Sequence, residues 1–153
     1  MQFPQILVYE SDALLAAILR EIAKTKRWAL REARKPETCL RLLRDLCPTV
    51  LVAKIATHAK REAALPVKAE EEQLRAADRE KEQVRSLELL ARVHETFPDT
   101  AIVAVGDAED TSVAPLAWDF GASYVLVPPQ PRQMLPDIVA GLMEETIAKY
   151  KLD

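Results

Sequence analysis

The chain has 153 residues, 49% of them apolar and 29% charged, with a net charge of −3. That is enough chain for one domain around one core. No apolar run approaches the roughly 20 residues of a membrane helix, and Met1-Gln2-Phe3-Pro4-Gln5 lacks the basic residues that open a signal peptide, so a soluble cytoplasmic protein without a membrane partner is expected.

Gln5 to Tyr9 carries the apolar run Ile6-Leu7-Val8 and reads as a first strand. Glu10, Ser11 and Asp12 follow it. Leu14, Leu15, Ile18, Leu19 and Ile22 then recur at the spacing of an amphipathic helix, with Ser11 or Asp12 as the expected N-cap. Trp28 to Ala33 alternates through Arg31 and reads as a second, edge strand. Pro36 suits the first turn of a second helix carrying Cys39, Leu42, Leu43 and Leu46, which stops before Pro48.

Val50 to Ala53, Ala101 to Val105 and Tyr124 to Val127 are near-continuous apolar runs, as expected of parallel strands covered on both faces. Lys54 closes the first of them. A short helix is expected around Val113 to Phe120, ending at Gly121. A last helix is expected from Arg132 to Lys149. Five strand–helix units with right-handed crossovers make a doubly wound α/β sandwich.

Residues Thr57 to Arg85 break this rhythm. Ala69-Glu70-Glu71-Glu72-Gln73-Leu74-Arg75 and Glu80-Lys81-Glu82 are strong helix formers, and Glu71 stands four residues before Arg75. Leu74, Ala77 and Val84 are too sparse for a coiled-coil seam. Two readings stay open. The segment extends the third helix as a solvated helix or loop, or it is a docking arm or lid beside the strand ends. From Ser86 the pattern faces a core again through Leu87, Leu90, Ala91 and Phe97.

Cys39 and Cys47 on one helix stand about 12 Å apart at 1.5 Å per residue, too far for a disulfide, so both are expected reduced. His58 and His94 have no Cys or His at ligand spacing, so no metal site is expected. An acidic net charge makes direct nucleic-acid binding unexpected. Glu10-Ser11-Asp12 stands where a phosphate-binding loop needs glycine. No nucleophile elbow is present, and the chain holds three glycines in all. No enzyme activity and no cofactor are expected.

Ile6-Leu7-Val8-Tyr9-Glu10-Ser11-Asp12 resembles the first strand and acid cluster of response-regulator receiver domains. Pro48-Thr49-Val50-Leu51-Val52-Ala53-Lys54 is similar to that family's third strand, which ends in the phosphoacceptor aspartate. Ser86-Leu87-Glu88-Leu89-Leu90 with Phe97-Pro98-Asp99-Thr100 resembles its third helix and the turn into strand four. Gly121-Ala122-Ser123-Tyr124-Val125-Leu126-Val127-Pro128-Pro129 resembles its Gly-Ala…Lys-Pro stretch. The resemblance covers all but Thr57 to Arg85. It implies a flavodoxin-like (βα)5 fold with a five-stranded parallel sheet in the order 2-1-3-4-5.

The departures from the family lie at its phosphorylation pocket. Lys54 stands where the acceptor aspartate is expected, and Ser11 takes the place of the second metal-binding acid after Glu10. Gly106, or Val105 with the register moved by one, replaces the switch hydroxyl, and Pro128 is read in place of the phosphate-contacting lysine. Phosphoryl transfer needs an acceptor carboxylate and cations around the transferring group. The resemblance therefore implies a pseudo-receiver in which Lys54 pairs with Glu10 or Asp12 in place of a metal, or reaches solvent alone. It further implies a protein-interaction role with other signalling proteins or in self-association. The surface implied carries Trp118 and Tyr124, with Trp118 either partly in the core or an interface anchor. With no output domain after Asp153, the output is expected from another chain. The competing readings are a small-molecule binder on a flavodoxin-like scaffold, with Lys54 as base or imine nucleophile, and a structural scaffold assembled through the 57–85 arm.

Overall fold

A computed structural model describes residues 4–10, 13–55, 69–106, 113–127 and 130–151. Its strands are β1 (Gln5–Tyr9), β2 (Ala29–Ala33), β3 (Val50–Ile55), β4 (Ala101–Gly106) and β5 (Tyr124–Leu126). Its helices are α1 (Leu14–Lys26), α2 (Pro36–Leu46), α3 (Ala69–Thr96), α4 (Val113–Asp119) and α5 (Leu135–Lys151), the last preceded by a 3-10 turn over Arg132–Met134. The strands form one parallel sheet in the order β2-β1-β3-β4-β5. The flavodoxin-like architecture and strand order expected from the sequence are both present.

Strand alternation divides the core into two buried layers. Ile6, Val8, Val50, Val52, Val103, Val105 and Leu126 face α1 and α5, where they meet Leu15, Leu19, Leu135, Val139 and Met143. Leu7, Leu51, Ala53, Ile55, Ile102, Ala104 and Val125 face α2, α3 and α4, where they meet Cys39, Leu43, Leu90, Val93 and Ala117. The three central strands are buried on both faces, which is why their sequences are continuous apolar runs. Each fully buried Leu or Ile contributes about 1.5–3 kcal/mol by leaving water.

The edges show how the chain handles its exits. β2 exposes Arg31 and Glu32 at the sheet edge, and charged side chains there disfavour pairing with another strand. Helices α1 and α2 end on residues in the left-handed region, Arg27 at φ 62 and Cys47 at φ 47. At the end of α4, Gly121 adopts φ 105. Its N–H donates to the Trp118 carbonyl at 3.1 Å, and the Ala122 N–H donates to the Ala117 carbonyl at 3.0 Å, a Schellman ending.

Several boundaries differ from those read in the sequence. β3 runs two residues further, because Lys54 and Ile55 keep pairing with Val105 and Gly106. β5 stops one residue earlier, at Leu126. α3 is a single helix of 28 residues, so 69–85 continues directly into the core-facing turns after Ser86. At 1.5 Å per residue it is about 42 Å long. The remainder of the 57–85 segment, 57–68, lies outside the described residues. The two cysteines are not on one helix, since Cys47 is the residue that ends α2; both are free thiols.

Candidate functional site

The carboxyl ends of the strands in an open parallel sheet form the crevice where such folds place ligands. Here β1 delivers Glu10, β3 delivers Lys54, and β4 delivers Val105 and Gly106. Tyr9 is paired with Ala53, so the next residues on the two strands, Glu10 and Lys54, come level. Alternation puts both on the α1/α5 side of the sheet, because Ile6 and Val8 precede Glu10, and Val50 and Val52 precede Lys54, in the same layer. Lys54 pairs in register with Val105, and Ile55 with Gly106.

Glu10 is 2% exposed. Its backbone N–H donates to the Ala33 carbonyl at 3.1 Å, extending the β1–β2 ladder by one bond. One carboxylate oxygen accepts from the Leu15 N–H at 2.9 Å, and the other accepts from the Ala16 N–H at 3.1 Å. Those are amides of the first turn of α1, which a helix cannot satisfy internally and which carry the positive end of its dipole. Glu10 thus spends both oxygens on capping α1. The N-cap position itself belongs to Ala13, which has no side-chain acceptor. A carboxylate at the strand end thus caps the Leu15 and Ala16 amides; Ser11 and Asp12, the caps expected from the sequence, lie outside the described residues. The signal for this cap is an acid standing a few residues ahead of the apolar stripe, which the chain shows but which reads equally as a metal ligand.

Lys54 is half-buried within β3. Gly106 is buried at the end of β4. Pro128 lies outside the described residues, whereas Val127 follows β5 directly, half-buried against the layer under α2 and α3. The strand ends that are described therefore present one cation on β3, one committed carboxylate after β1, and apolar or glycine positions on β4 and after β5. Among the described residues no group of three or more His, Cys, Asp or Glu side chains stands ready to hold a metal.

A second candidate lies on the α4 side. Trp118 is 49% exposed, so it is not a core residue. Its ring meets that of Tyr124 on β5 edge-on, with centroids 6.2 Å apart and planes at 66°. Leu116 and Phe120 are also exposed. The sequence brought Trp118 and Tyr124 to this side, and the structure sets them in contact. It adds Leu116 and Phe120, whose exposure was not evident because a seven-residue helix shows no clear apolar period.

No family model and no curated protein matches the sequence. Solved structures match over nearly the whole chain. A response regulator receiver domain protein (CheY-like) from Methanospirillum hungatei JF-1 is similar at 14% identity and a TM-score of 0.67, covering 97% of this chain and 99% of that one. The signal receiver domain of an HD domain-containing protein from Pseudomonas fluorescens Pf-5 is similar at 20% identity and a TM-score of 0.66, covering 96% and 99%. A response regulator from Thermotoga maritima is similar at 15% identity and a TM-score of 0.66, covering 93% and 98%. With its 2-1-3-4-5 parallel sheet and a likeness that spans the chain end to end, this protein has the flavodoxin-like fold of CheY-like response-regulator receiver domains.

Proposed function

We propose that this chain is a phosphorylation-independent receiver-like module that works in signalling by binding other proteins, through the side carrying α4 and β5. The observation that carries this reading is Lys54 inside β3, level with a Glu10 carboxylate whose two oxygens are both held by α1 amides. A phosphoacceptor must be a carboxylate with room for an incoming phosphoryl group. An ammonium on β3 supplies neither the nucleophile nor the leaving-group chemistry. A carboxylate whose two oxygens each accept a helix amide is held in the orientation α1 requires and is partly compensated by the helix dipole.

The docking side is proposed from exposure. Trp118, Leu116 and Phe120 place aromatic and aliphatic surface in water along and just beyond a short helix, and exposed aromatics of this kind are frequent interface anchors. The test is treatment with acetyl phosphate and magnesium, followed by intact-mass analysis. The expected result is no added mass. A hydroxylamine-labile adduct of one phosphoryl group would overturn the reading.

A further inference from the structure

The charge of this chain is strongly divided. Residues 20–44 contain nine lysines and arginines against three glutamates, a net +6; the whole chain is −3, so all the rest carries −9. The fold gathers the basic stretch around one edge of the sheet. Arg20, Lys24 and Arg27 lie on or just after α1, Arg31 on β2, and Arg41 and Arg44 on α2, and all are exposed. The two helices flank β2, which is the outermost strand. Among the described residues only two of the nine cations enter ion pairs, Lys26 with Glu144 at 3.2 Å and Arg34 with Glu32 at 3.1 Å.

The opposite side of the molecule has the complementary character. The His94 ring packs against Gly121, so that a Cβ there would lie 2.6 Å from the His94 Cβ, and this closes the end of α3 onto the end of α4. Around that junction Glu95 and Asp119 are exposed, beside Leu116, Trp118 and Phe120, with one exposed cation, Arg92, a turn earlier on α3. Guanidinium groups suit such a surface in two ways: they pair with carboxylates, and they stack on the face of an exposed indole. The two sides belong to opposite edges of a five-stranded sheet, about 19 Å apart at 4.8 Å per strand spacing.

We infer that the occupant of the acidic, aromatic α4 side is the basic β2 edge of a second copy of this chain. This rests on the reading of the α4 side as the docking face. Because the two patches are different surfaces on opposite edges, the contact is head-to-tail and propagates as an open chain; it does not close as a two-fold dimer.

Sedimentation velocity and light scattering on the full chain test this with two variants. Arg31→Gln with Arg41→Gln weakens the basic side, and Glu95→Gln with Asp119→Asn neutralises the acidic side, so that the two altered sides have no new attraction for each other. Should the first pair fail to melt cooperatively, Arg20→Gln with Arg44→Gln replaces it. The wild type is expected to grow in mean mass with concentration at low salt and to return to monomer at about 0.5 M salt, where exposed charges are screened within a few ångströms. Each variant alone is expected to stay monomeric. An equimolar mixture is expected to form a 1:1 dimer that grows no further, since each partner keeps one working side. A wild type monomeric at low salt, a variant that still polymerises alone, or a mixture that stays monomeric would each overturn the inference. So would a wild type that remains monomeric yet shifts a short DNA duplex through Arg31 and Arg41, which would make the basic edge a nucleic-acid surface. In all four cases the acetyl phosphate experiment still decides the phosphorylation-independent reading separately.

Discussion

Glu10 offers the sharpest test of how this crevice is built. Replacing it with alanine removes both acceptors of the first turn of α1 and leaves the Leu15 and Ala16 amides, on residues with no exposed surface, without partners. A hydrogen bond to a charged acceptor contributes about 1.5–3 kcal/mol, and loss of a helix cap typically costs about 0.5–2 kcal/mol. The cost of keeping a carboxylate nearly out of water opposes these gains. We expect Glu10→Ala to lose about 2–3 kcal/mol, and Glu10→Gln, which keeps one carbonyl acceptor, about 1 kcal/mol. In a chain of this size the alanine variant should melt about 5–10 °C lower. Urea titrations of the three proteins measure the differences, and hydrogen exchange should show the Leu15 and Ala16 amides losing protection. Magnesium supplies an independent readout, because a ligand that binds only the folded state raises the midpoint. If Glu10 is committed to the helix, millimolar magnesium leaves the wild-type midpoint in place. Variants within about 0.5 kcal/mol of wild type, or a wild-type midpoint that climbs with magnesium, would show that the carboxylate is not spent on α1.

The remaining predictions concern the thiols and the α3–α4 junction. Burial pushes the Cys39 thiol up from its ordinary 9.0 to about 12, so a thiol reagent at pH 8 should modify the exposed Cys47 alone, and two thiols only after denaturation; two fast native equivalents would contradict the packing of Cys39. Because the folded-state value lies above the unfolded one, this thiol stabilises the fold fully below pH 9.0 and the contribution is lost as pH rises toward about 12. Urea midpoints should therefore fall above pH 9 in the wild type and fall less in Cys39→Ala. Gly121→Ala meets both a positive φ and the His94 ring, and should cost about 2–3 kcal/mol. The same substitution in a His94→Gly background, which removes both the ring and the Cβ that would lie 2.6 Å away, should cost only the backbone part, so an undiminished loss there would show that His94 is not the obstacle.

Most of the fold is legible in the chain because it depends on many redundant signals. The central strands announce themselves by unbroken apolar runs, and Pro36 and Gly121 mark a start and a stop that the backbone obeys. The misread positions are those where a single residue carries two possible roles. Glu10 reads as a metal-binding acid, with the cap expected at Ser11 or Asp12, and only the direction of the α1 amides reveals that its carboxylate caps the helix. Lys54 reads as a strand terminator, yet β3 continues through it, because pairing with β4 is a property of two strands and not of one. Arg27 and Cys47 adopt left-handed backbone with no glycine to signal it. The basic edge was hidden by the net charge, since +6 in one stretch disappears inside a total of −3.

Fold and site also differ in what holds them in place. The two buried layers join dozens of side chains, and altering any large one costs about 2–5 kcal/mol, so the pattern persists even where identity with the receiver structures is 14–20%. The crevice residues sit at the ends of strands, where Glu10, Ile55 and Val105 are still buried and Lys54 is half-buried. A half-buried lysine there leaves the apolar layers beneath it intact, and a glycine at the end of β4 adds no side chain to them. Glu10 is the exception, because α1 depends on it directly. On the proposed reading, that is why an acid remains after β1 while β3 carries a cation near its end: the helix still requires a carboxylate, and only phosphoryl chemistry requires the other groups.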